Sequence, residues 1–109
     1  MMAKQTERTE NALPVEVQLE QNASTITVIS FTVIEKEKID ENRIFFQIQQ
    51  LNEMAKDGYF SFVDNGMQYL IKYIQKLILY DSTRKNGAIQ GFVGEGILHL
   101  RAAAYSIMK

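Results

Sequence analysis

The sequence predicts an α+β domain in which an N-terminal β-hairpin is followed by three amphipathic helices. Three observations carry this. Residues 25–34, TITVISFTVI, are uncharged and rich in β-branched side chains, as a strand covered on both faces requires. Just before them, Val15, Val17 and Leu19 alternate with Glu16, Gln18 and Glu20, the pattern of a strand with one wet face. Downstream, apolar residues recur at spacings of three and four in three separate segments.

Residues 1–13 show no apolar periodicity and read as a flexible N-terminal tail, leaving residues 14–109 as a single α+β domain. Pro14 ends the tail. Gln21, Asn22, Ala23 and Ser24 form a polar turn between the two strands, so these pair as an antiparallel hairpin. One face of the second strand carries Ile29 and Phe31, the other Ile26 and Val28. Two strands are few to protect such a bifacial strand. The hairpin is therefore expected to pair or pack with its counterpart in another chain, giving a homo-oligomer.

Asp40 reads as the N-cap of a helix over residues 40–57, with Ile39 and Ile44 as a hydrophobic staple. Ile44, Ile48, Leu51 and Ala55 form its apolar stripe, and Gly58 suits its C-terminal end. Residues 59–63, YFSFV, alternate and fit a third strand turning at Asn65 and Gly66. They also fit a helix start capped by Ser61. The spacing of Met67, Leu70, Ile71, Ile74, Leu77 and Ile78 favours the helix, over residues 62–80. After a polar loop at residues 81–87, Ile97, Leu100, Ala104 and Ile107 predict a last helix over residues 95–108, with residues 88–94 helical or irregular.

Composition narrows the chemistry. The chain has 109 residues, 46% of them hydrophobic, with no cysteine and one histidine. Disulfides, thiolate metal sites and multi-histidine sites are excluded. No apolar signal core is visible near the N-terminus and no apolar run is long enough to cross a membrane, so a cytoplasmic protein without membrane partners is expected. No cofactor or metal is expected. Residues 1–54 hold 5 Lys and Arg against 9 Asp and Glu, whereas residues 55–109 hold 7 against 4. Such asymmetry accompanies nucleic-acid patches or head-to-tail association, but also ordinary solvated surfaces.

Each candidate for chemistry has a plain structural counterpart. The glycine cluster at residues 91–96, GFVGEG, matches neither phosphate-loop nor dinucleotide spacing, and close packing explains it better. Glu95 and His99 lie four residues apart on one helix face, where they would serve as a ligand site or as a surface pair. Lys72, Lys76, Arg84, Lys85 and Arg101, with tyrosines among them, are the candidate nucleic-acid contacts. Phe60, Phe62, Tyr69 and Tyr73, with Ile29 and Phe31, are the candidate protein-interaction surface. The leading expectation is a small non-enzymatic interaction module: an adaptor, assembly chaperone or inhibitor that self-associates through its hairpin. A nucleic-acid binder is the alternative, and a small enzyme or ligand binder near Glu95 and His99 comes third.

Overall fold

The β-branched run at residues 25–34 forms the strand Thr25–Glu35 at the centre of the molecule. The coordinates are a computed structural model describing residues 2–7, 13–22, 24–56, 58–78 and 85–108. In chain order the strands are β1 (Met2–Glu7), β2 (Val15–Gln21) and β3 (Thr25–Glu35). A single 3₁₀ turn at Lys36–Lys38 leads to α1 (Ile44–Met54). Then come β4 (Gly58–Asp64), β5 (Gln68–Ile78) and the long helix α2 (Lys85–Ile107). The strands form one antiparallel sheet in the order β1-β2-β3-β5-β4. Within the segment expected as a tail, Met2–Glu7 pairs with β2, so that Lys4 stands opposite Gln18.

The β2–β3 hairpin forms as expected. Asn22 shapes its turn by accepting hydrogen bonds on Oδ1 from the Ser24 and Thr25 backbone N–H groups, at 3.0 and 2.9 Å. Asp40 is not the N-cap expected of it: Arg43 takes that position, without a side-chain cap hydrogen bond, and Asp40 instead holds the turn that leads into α1. Its Oδ1 accepts the Asn42 N–H at 3.0 Å, and its carbonyl accepts the Ile44 N–H at 3.1 Å. Helix α1 is shorter than the expected 40–57 and ends at Met54, with Ala55 already extended.

The expectation of a hairpin followed by three helices is overturned over residues 58–78, which form the second hairpin β4–β5. Only two α-helices are present among the described residues. The physical reason lies in β5, which is apolar on both faces. Tyr69, Ile71 and Leu77 belong to one face, Leu70, Ile74 and Ile78 to the other. Summed without regard to face, they imitate spacings of three and four. The turn itself is decisive. Gly66 has φ 83°, a conformation that favours glycine, and Asp64 Oδ1 accepts its N–H at 3.1 Å. Asn65 donates its N–H to the Gln68 carbonyl at 2.8 Å.

Along all eleven register pairs, β5 runs beside β3. Both lateral edges of β3 are thus paired inside the chain, by β2 and β5. Strand pairing between chains at β3, one form of the expected association, has no edge to use. Helix α2 lies across one face of the sheet and buries Ile97, Leu100, Ala104 and Ile107 against Val17, Val28 and Ile71. Helix α1 covers the β4 end of the same face through Ile44 and Ile48. Gly96 is where α2 comes closest. A Cβ there would stand 2.6 Å from both Ser30 Oγ and Gln75 Oε1. Those two buried polar side chains make no hydrogen bond among the described residues, and the glycine lets the helix pass directly over them. No described helix is long and apolar enough to cross a membrane.

Two polar clasps hold the ends. Lys36 Nζ is 2.6 Å from Asp64 Oδ1 and 5.2 Å from the Tyr69 ring centroid. The shared hydrogen bond holds the Asp64 carboxyl below its ordinary range and the Lys36 ammonium above its own, more than offsetting desolvation. Before β2, the Leu13 carbonyl accepts from Arg101 Nε at 3.0 Å, and its N–H donates to the Tyr105 hydroxyl at 3.1 Å.

Candidate functional site

Side chains alternate across a strand, so a strand in mid-sheet offers one set to each face. In β3 the even-numbered residues Ile26, Val28, Ser30, Thr32 and Ile34 lie under the helices and are buried. The odd-numbered residues point the other way. Register identifies their neighbours. Ile29 stands between Gln18 on β2 and Ile74 on β5, and Ile74 faces Tyr59 on β4. Phe31 stands between Glu16 and Lys72, with Ser61 beyond. Val33 faces Leu70, which faces Val63. Thr27 stands between Glu20 and Lys76.

Among the described residues no element packs on this face. Ile29, Phe31, Leu70 and Ile74 are half-buried by their own neighbours and do not join the core cluster. Val33, Tyr59 and Val63 are 43%, 50% and 47% exposed. The result is an apolar surface along β3, β5 and β4, interrupted on β5 by Lys72 and Lys76 and bordered on the β2 side by Glu16 and Glu20. A shallow depression of about 240 Å³ lies in it, lined by Gln18, Glu20, Ile29, Phe31, Leu70 and Lys72.

The lateral edge at β4 is guarded by contrast. Asn52 on α1 donates from Nδ2 to the Phe60 carbonyl at 2.9 Å, and its Oδ1 accepts the Phe60 N–H. This occupies the backbone donor and acceptor at the middle of an edge strand, where another chain would add.

Of the six residues expected to form an interaction surface, Ile29 and Phe31 stand on the open face. Phe60, Tyr69 and Tyr73 are buried on the helix side at 7%, 6% and 3% exposure, and Phe62 is half-buried beside them. There they form aromatic pairs, Phe60 with Tyr73 at 4.5 Å between centroids and Phe62 with Tyr69 at 5.7 Å edge-on. Their placement follows from strand parity in β4 and β5, which the helical expectation for residues 62–80 could not supply. The basic candidates do not converge. Lys72 and Lys76 are on the open face, whereas Arg101 reaches Leu13 beneath the helix layer. Lys85 begins α2, and Arg84 lies outside the described residues.

Glu95 and His99 are both exposed on α2. His99 sits 5.5 Å from the Tyr73 ring, centroid to centroid, at the rim of a cleft of about 320 Å³ between α1 and α2. Leu51, Met54, Phe60 and Ala103 give that cleft an apolar lining, and Glu95 is not part of it. Among the described residues no group of three His, Asp or Glu side chains is placed to hold a metal ion. The sequence reading missed Tyr59, Val63, Leu70 and Ile74 as members of the open face. Asn65 and Gly66, flanked by the alternating residues 59–63, are the signal that would have found them.

No protein-family model matches the chain, and no curated protein matches it. Among solved structures the chain is similar to YbjN from E. coli, described as "a putative transcription regulator". The TM-score is 0.56 at 11% sequence identity, and the match covers 95% of this chain and 78% of that one. At this identity the likeness concerns the fold.

Proposed function

We propose that the chain is a small non-enzymatic protein-interaction module, an adaptor, assembly chaperone or inhibitor, which works through the open face of its sheet and self-associates through the β2–β3 hairpin. One observation carries the reading. A face holding Ile29, Phe31, Leu70 and Ile74 is left bare by the chain's own helices, while the β4 edge is capped by Asn52. Leaving such apolar area in water forgoes about 25 cal/mol per Å² of burial, which a partner surface recovers. The regulatory description of YbjN is compatible with a protein that acts by binding.

A photo-crosslinking amino acid at position 31 tests this in the native host, with a control at Leu98, which is 68% exposed on α2. The expected result is a discrete protein adduct from position 31 alone. Capture of nothing beyond what the Leu98 probe captures would remove the reading.

A second reading, binding of single-stranded nucleic acid, draws on Lys72 and Lys76 beside Phe31 and Tyr59 on the same face. Cations and aromatic rings on a sheet suit phosphates and bases. Glu16 and Glu20 on the opposite flank repel phosphate, and this places it second. Binding at low salt that weakens steeply as salt rises would promote it.

A further inference from the structure

The open face carries its own charge complement, and this identifies an occupant. Glu16 on β2 and Lys72 on β5 flank the same residue of β3, Phe31. Glu20 and Lys76 flank Thr27 in the same way. The acidic and basic pairs are therefore equidistant from β3 and level with each other along it. We infer that a second copy of this chain docks on the open face, about a two-fold axis running along β3. The inference rests on the proposed role of that face.

The geometry follows from symmetry. Rotation about an axis along β3 lays β3 on its counterpart in the same direction and exchanges the two flanks. Glu16 then meets the partner's Lys72, and Glu20 meets the partner's Lys76, with the reciprocal pairs completing the set. Ile29 and Phe31 meet their own counterparts on the axis. Packed sheets lie about 10 Å apart and cross at roughly 30°. That crossing moves positions two residues from the centre by only about 3–4 Å, within the swing of a Lys or Glu side chain. The other two-fold in the plane of the face, across the strands, sets Glu16 against the partner's Glu20 and Lys72 against the partner's Lys76. Like charges facing each other disfavour it. Edge pairing at β4 is opposed by Asn52. Charge thus selects one of the two face-to-face two-fold arrangements, as an isologous contact allows.

The test uses two variants of the full chain. Glu16→Lys with Glu20→Lys makes both flanks basic, and Lys72→Glu with Lys76→Glu makes both acidic. Sedimentation equilibrium across the micromolar range, at low salt, reads their mass, with circular dichroism confirming the fold. The wild type is expected to be a dimer. Each variant alone is expected to weaken dimerisation by about tenfold or more. An equimolar mixture is expected to recover the dimer as a heterodimer, because every facing pair is again opposite in sign. A variant that failed merely by misfolding would not be rescued by the other. A monomeric wild type, variants that dimerise as the wild type does, or a mixture that stays monomeric would overturn the proposed dimer. If the wild type is monomeric while the position-31 probe still captures a different protein, the dimer falls and the interaction reading stands.

Discussion

The two faces of β3 are almost equally apolar in sequence and opposite in fate. Ile26 and Val28 are 1% and 0% exposed beneath the helix layer. Ile29 and Phe31, on the other side of the same backbone, remain half-buried without joining the core. The first pair is explained by the chain's own helices. The second needs an explanation outside them. A bifacial apolar strand is therefore two separate statements, one about folding and one, under the proposed function, about binding, and substitutions should separate them.

The largest effect is expected on the covered face. Ile26→Ala should cost about 2–5 kcal/mol of stability in urea unfolding, whereas Ile29→Ala should cost well under 2 kcal/mol and weaken association instead. Equal losses of stability would erase the distinction between the faces. Next comes the helix layer. Gly96→Val forces α2 away from Ser30 and Gln75 and should destabilise by about 1–3 kcal/mol. A Cβ added at Gly94 would meet no atom within 4 Å, so Gly94→Ala should stabilise by about 0.4–1 kcal/mol. Thermal melts of the two variants moving in the same direction would contradict the placement of α2. Asn52→Ala leaves the Phe60 backbone groups uncapped at the β4 edge. It should cost about 1–2 kcal/mol and raise concentration-dependent light scattering. Unchanged scattering would show that the edge needs no guard.

Much of the first half was legible because each signal there is local. Alternation defines β2, β-branching defines β3, and Asp40 holds the turn before α1. The β4–β5 hairpin was not legible, because a strand with two apolar faces mimics a helical stripe and Lys72, Gln75 and Lys76 have no preference for strands. Long-range pairing with β3, together with the positive φ of Gly66, decides the matter. The candidate site inherits the same division. Ile29 and Phe31 can be read from an uncharged run, but their neighbours Leu70, Ile74 and Tyr59 come from strands that the helical reading concealed. The expected thinness of a two-strand sheet is corrected with them: β3 has partners on both sides within its own chain. What association remains to explain is packing on a face.

The most direct test is Ile29→Lys. The sequence alone predicts that a charge in this run damages folding and assembly together. The structure predicts a division, since Ile29 lies on the bare face, where a lysine can reach water. Sedimentation and circular dichroism of the full chain should show a wild-type dimer and a folded, monomeric Ile29→Lys variant. An unfolded variant, or one that assembles as the wild type does, would contradict the assignment of this face to binding.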